Sequence, residues 1–104
     1  MRSTRVALYD IKSGTFDEIR SKAEAGMVPL FQQSDGFVSY GVARIDKDAF
    51  ISLSTWETRA QADAATTKAA DWMNTNSKDQ FTLRESYVGD LAIDARTPLA
   101  SIAR

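Results

Sequence analysis

Three side chains in this chain are of types that can bind and activate a small organic molecule: Arg84, Tyr40 and Trp72. Arg84 is a fixed cation in a segment otherwise rich in apolar and hydroxyl residues, and such a charge can stabilise negative charge developing on a substrate. The alternative is an ion pair, within the chain or with a partner. Tyr40, with Tyr9 and Tyr87 on other strands, offers a phenol that can orient a substrate hydroxyl or simply pack and hydrogen-bond. Trp72 and its neighbour Met73 can form a stacking wall or ordinary core. Asn74 and Asn76 can donate to a carbonyl, but they also suit the end of a helix. The carboxylates Asp10, Glu57, Asp63 and Glu85 show no paired spacing for acid–base work.

The missing residue types narrow the chemistry. There is no His and no Cys, which removes imidazole bases, thiolate nucleophiles, disulfides and the usual zinc and iron–sulfur ligands. The five glycines are at 14, 26, 36, 41 and 89 and form no phosphate loop. Nucleotide, flavin or nicotinamide binding by a standard motif is therefore not expected, and no metal or cofactor is assigned, although a flavin could still enter a pocket that lacks a motif. With 104 residues, 43% hydrophobic and 26% charged, and a net charge of −1, the chain reads as one soluble domain. Basic residues are scattered, which gives no footprint for nucleic acid. No apolar run is long enough for a membrane span, and no apolar segment follows the basic start, as a secretory signal would require. A cytoplasmic protein is expected.

The elements that must position these residues follow from periodicity. Arg5 to Ile11 is a first strand. Thr15-Phe-Asp-Glu18 is a capping box, and Phe16, Ile19, Ala23, Met27, Leu30 and Phe31 recur at helical spacing. Gly26 should weaken this helix, and Pro29 should break or kink it near Val28. Gly36 to Asp46 is a second strand and Ala49 to Trp56 a third, joined as an antiparallel hairpin. Thr58-Arg-Ala-Gln61 is a second capping box. It opens an alanine-rich helix from Arg59 to about Asn74 with no Gly or Pro. Gln80 to Val88 is a fourth strand, extending toward Ile93, and Thr97 to Arg104 is a short tail.

The order β-α-β-β-α-β is the ferredoxin-like α+β pattern with an antiparallel sheet. A single domain over 1–104 is expected, its core spanning about 5–92 and a C-terminal tail 93–104. Simple alternation puts Phe37, Gly41 and Ile45 on one face of the second strand and Val38, Tyr40 and Val42 on the other. It puts Ile51 and Leu53 opposite Phe50 and Trp56, and Phe81, Leu83 and Tyr87 opposite Val88. Both sheet faces then carry apolar residues, whereas a sheet covered on one side should alternate cleanly. An exposed apolar face implies a partner, most simply a second copy in a homodimer.

Gly36-Phe37 opening the second strand, and Phe50-Ile-Ser-Leu-Ser-Thr-Trp-Glu57 running from the third strand into a helix, resemble the antibiotic-biosynthesis-monooxygenase-like family of dimeric α+β barrels. The resemblance covers roughly Arg5 to Leu91, and Trp56 takes the place of the family's strand-end tryptophan or serves as a plain anchor. It implies a dimeric α+β barrel and, for function, a small cofactor-independent monooxygenase acting on an aromatic or polyketide-like molecule. The alternative is a non-catalytic barrel that binds a small apolar ligand or serves in stress response. The heme-degrading branch of such barrels carries an Asn, a Trp and a ligating His at places that fall on or near Ala7, Ala65 and Thr75, so that activity is not expected. A cavity of about 300 Å³ or more lined by Tyr, Trp and Arg would favour the enzyme, and a solid interior the binding protein.

Overall fold

Alternation along the first strand decides which way the sheet faces. In strand β1 (Ser3–Ile11), Ser3, Arg5, Ala7 and Tyr9 are buried, while the residues between them are half-buried. The computed structural model describes residues 1–77 and 79–95. The remaining elements are helix α1 (Phe16–Lys22), a π-helical turn (Ala23–Met27), helix α2 (Val28–Gln32), strands β2 (Phe37–Asp46) and β3 (Ala49–Trp56), helix α3 (Arg59–Asn76) and strand β4 (Phe81–Asp90). The strands form one antiparallel sheet in the order β2-β3-β1-β4. The helices pack on the face that carries Ala7, Tyr9, Phe50 and Trp56. This is the expected β-α-β-β-α-β ferredoxin-like α+β fold. The fourth strand stops at Asp90, short of Ile93, and the tail from Thr97 to Arg104 lies outside the described residues.

Pro29 does not break the first helix. The chain stays helical from residue 16 to 32 because the turn before the proline widens: the Val28 N–H donates to the Ala23 carbonyl, five residues back. A π-turn of this kind absorbs the mismatch that a proline imposes on its preceding turn. Gly26, expected only as a weak point, lies inside that turn for a packing reason. A Cβ there would lie 2.5 Å from the Trp72 Nε1 of α3. The missing side chain lets α3 come close.

Both caps form. The Thr15 hydroxyl accepts from the Glu18 N–H at 3.2 Å. At Thr58 the box is reciprocal, with Gln61 N–H donating to Thr58 Oγ1 at 3.2 Å and Thr58 N–H donating to Gln61 Oε1 at 3.1 Å. Gly36 has φ +78°, and a Cβ on it would sit 1.8 Å from Gln61 Oε1. The turn before β2 is thus pressed against the start of α3, and only glycine fits there. Trp56 anchors the junction. It is 1% exposed, its Nε1–H donates to Ser54 Oγ at 2.9 Å, and its ring meets Phe31 and Phe37 edge-on.

Three register shifts change the face assignments made by simple alternation. The ladder slips around Val38 and Ile45 in β2 and around Arg84 in β4. Each adds one residue, and the pleat beyond it inverts. Phe37 therefore joins Tyr40 and Trp56 on the helix face rather than opposing Tyr40. On β4, Phe81 and Val88 both pack into the helix-side core. Tyr87 pairs with Val6 and lies on the other face, 61% exposed. On β3 the expected division holds: Phe50, Ser52, Ser54 and Trp56 are buried, and Ile51 and Leu53 point away. The open face carries Val6, Leu8, Ile51, Leu53 and Tyr87.

Candidate functional site

The space between sheet and helices centres on β1. Arg5 and Tyr9 rise from it on the buried face, four residues apart. Tyr40 and Val42 come from β2, Phe50 and Ser52 from β3, and Phe81 from β4. Ile19, Met27 and Phe31 close the space from the first helical rod, and Ala69, Trp72 and Met73 from α3. The aromatic rings lock one another. Tyr9 stacks on Phe50 with centroids 5.0 Å apart and meets Phe81 edge-on at 5.4 Å, and Phe31 meets Tyr40 at 5.1 Å. The enclosed cavity is small, about 20 Å³, room for one water. Beside it, between α3 and β4, lies a groove of about 390 Å³ lined by Arg5, Tyr9, Lys12, Thr66, Ala70, Met73, Asn74, Phe81, Thr82 and Leu83. Arg5, Tyr9, Met73 and Phe81 line both spaces, and so form the partition between them.

Of the site residues expected from sequence, Tyr40 and Trp72 come together on the cavity wall. Arg84 does not join them. It sits at the β4 bulge, and its guanidinium grips Asp10 through two hydrogen bonds, one of them Nε to Oδ2 at 3.1 Å. That pair is half-exposed and belongs to the face turned away from the helices. The Arg84 hydrogen bond holds the Asp10 carboxyl below the usual aspartate range; desolvation opposes it, and the positive charge of Arg84 adds to the lowering. Asn74 lines the groove, while Asn76 donates its side-chain amide to the Trp72 carbonyl at 2.9 Å and closes the helix.

The buried cation at the cavity is Arg5, which the sequence reading placed on a strand but did not single out. It is 2% exposed. Its Nη2 donates to the Tyr9 hydroxyl at 3.3 Å, and its Nε has no hydrogen-bond partner. The signal was present in the alternation Ser3, Arg5, Ala7, Tyr9, which puts Arg5 on the face of Tyr9 and hence indoors. Burial raises the Tyr40 phenol above its ordinary value; the nearby Tyr9 pushes the same way, and the Ser52 hydroxyl and the Arg5 charge oppose. Tyr40 thus keeps its proton at neutral pH, which leaves its O–H available to donate a hydrogen bond. Among the described residues no cluster of acidic side chains could hold a metal ion, and no helix is long and apolar enough to cross a membrane.

Comparison with known proteins bears on this geometry. The family model described as antibiotic biosynthesis monooxygenase matches residues 3–70, which includes β1, Tyr40 and the strand-end Trp56. No curated protein matches the chain. Several solved structures share the fold. SnoaB from Streptomyces nogalater, described as a cofactor-independent oxygenase, superposes with a TM-score of 0.68 at 19% identity, over 94% of this chain and 96% of that one. Rv0793 from Mycobacterium tuberculosis gives 0.64 at 16% identity, over 94% and 100%. NE2512 from Nitrosomonas europaea, a protein of unknown function, gives 0.70 at 13% identity, over 94% and 96%.

Proposed function

The chain belongs to the antibiotic biosynthesis monooxygenase family, and from that premise we propose that it is a small cofactor-independent monooxygenase acting on an electron-rich aromatic or polyketide-like molecule. The observation that carries the reading is the wall of Arg5, Tyr9 and Phe81, which faces a groove of about 390 Å³ on one side and the inner cavity with Tyr40 and Trp72 on the other. The likeness to a described cofactor-independent oxygenase agrees with it. In the proposed reaction the substrate loses a proton, and its carbanion supplies the electrons that reduce dioxygen. One oxygen atom enters the product as a carbonyl, and the other leaves as water with the two hydrogens of the oxidised carbon. The residues orient the ring, keep water out and hold the substrate oxygen while charge builds. Tyr40 and Trp72 meet the substrate where its ring displaces the side chains that now close the inner cavity to about 20 Å³; there Tyr40 donates a hydrogen bond to that oxygen and Trp72 supplies a flat wall.

The proposed assembly is a homodimer through the open sheet face, whose apolar Val6, Leu8, Ile51 and Leu53 lie uncovered in the single chain. Arg84, paired with Asp10 on this face, fits an ion pair better than contact with a substrate.

A second reading is a barrel that binds a small apolar ligand without reaction. The small enclosed volume, about 20 Å³, favours it. Oxygen-electrode measurements with polycyclic phenols and hydroquinones, without added metal or flavin, separate the two. The enzyme consumes oxygen in proportion to substrate, and Tyr40→Phe lowers kcat/KM by about 10²-fold. Saturable binding of the same panel with no oxygen uptake assigns the chain to the binding reading.

A further inference from the structure

Arg5 is the one buried charge among the described residues for which the fold supplies no structural reason. It is 2% exposed, and no described carboxylate lies within ion-pair distance of it. A guanidinium has five N–H donors. Here Nη2 meets only the Tyr9 hydroxyl, at 3.3 Å, and Nε meets nothing. Keeping such a group from water without a counter-charge costs stability.

Its surroundings point to what it holds. Arg5 stands in the partition between the inner cavity and the groove between α3 and β4. The groove, at about 390 Å³, is within the range of small-molecule sites. Its charged lining residues are Arg5 and Lys12, and no carboxylate lines it; the inner cavity likewise has Arg5 and Arg20 and no acid. The floor is apolar and aromatic, with Tyr9, Phe81 and Met73. Tyr9 accepts from Arg5 through its oxygen, which leaves its own O–H to donate. An apolar floor with two converging donors and a positive potential matches a flat ring bearing one negative oxygen.

We propose that Arg5 is the anion-holding residue of this site, fastening the deprotonated oxygen of an aromatic ligand that enters by the groove between α3 and β4. The proposal rests on the functional reading above only in taking the ligand to be aromatic. It adds that the ligand binds as its anion, whether phenolate, enolate or carboxylate, and that Arg5 rather than Arg84 makes the selection.

The test reads ionisation and binding, not turnover. 4-Nitrophenol is bound to the protein and titrated, its phenolate colour reporting the proton. In the native protein the midpoint falls by about 1–3 pH units relative to the free dye, as expected beside a fixed cation. Arg5→Met abolishes the fall, and Arg5→Lys retains a fall of the same sign. A bound dye whose midpoint is unchanged or raised overturns the proposal. So does an equal fall in Arg5→Met, or the absence of saturable binding. If Arg5→Met does not fold, the native protein decides through tryptophan quenching by naphthalene-2-carboxylate and naphthalene-2-carboxamide. Preference for the carboxylate by about tenfold or more supports the proposal, and equal or weaker binding overturns it. Oxygen uptake is independent of both readouts: a protein that binds the anion without consuming oxygen refutes the monooxygenase and leaves Arg5 in its role. One that consumes oxygen but binds no anion does the reverse.

Discussion

Replacing Gly26 by alanine sets two effects of known size against each other. In an ordinary helix interior the change stabilises by about 1 kcal/mol, because alanine loses less backbone entropy. Here the new methyl would lie 2.5 Å from Nε1 of Trp72 and 2.9 Å from Cε2 and Cζ2. Ordinary contact begins at 3.4 Å, so the indole, partly buried and packed against the core on one side, must retreat by about 1 Å. Trp72 is held there by the cluster it packs against, which includes Met27 and Phe31. Overpacking of this kind costs about 1–3 kcal/mol. The net expectation is a loss of up to about 2 kcal/mol despite the better helix former. Urea unfolding followed by circular dichroism measures it, and a double-mutant cycle identifies the cause. In a Trp72→Phe background the smaller ring leaves room, and Gly26→Ala should then stabilise by close to its propensity value of about 1 kcal/mol. A coupling of about 2 kcal/mol between the two sites is therefore expected. Stabilisation by Gly26→Ala in both backgrounds, with no coupling, would refute the close approach of the π-turn to α3.

Ala65→Gly should cost about 2 kcal/mol in the same unfolding assay, since the residue is 1% exposed and loses a buried methyl along with helix propensity; a loss under about 1 kcal/mol would mean that α3 does not pack through Ala65. The folded Asp10 pKa lies below its unfolded value, so the stabilisation it brings is present above the ordinary aspartate range and fades as pH falls through the lowered value. Arg84→Ala should return the Asp10 carboxyl to its ordinary titration by NMR and remove that share of the acid sensitivity, and an unmoved titration would refute the pairing. Leu53→Asp, on the open face at 42% exposure, should convert the proposed homodimer to monomer in sedimentation without unfolding it; a native protein that is already monomeric at micromolar concentration would sink the assembly.

Much of the architecture was legible because it is written in local signals. The capping boxes at Thr15 and Thr58 start helices where they should, since an N-cap needs only its own third neighbour. The alternation from Phe50 to Trp56 survives intact because β3 is paired on both sides. Long-range partners decided the rest. Alternation misassigned Phe37 and Tyr87, because a bulge at Val38 or Arg84 arises from how one strand registers on its neighbour. Pro29 failed to end its helix because the preceding turn widened, and Gly26 had its reason in a tryptophan 46 residues away in the chain.

The choice of cation shows the same division most sharply. Composition alone removed histidine and cysteine chemistry and left arginine, tyrosine and tryptophan among the candidates for the site. Residue type cannot say which arginine lies indoors. Arg84, in the apolar-looking segment, proved half-exposed and paired with Asp10, while Arg5, in an ordinary first strand, is buried beside Tyr9. Desolvation depends on what packs over a side chain, and two helices that begin 11 and 54 residues later cover Arg5. The chain's own order therefore determined the layers and the available chemistry, and only the packing of the helices on the sheet determined which charge faces the site.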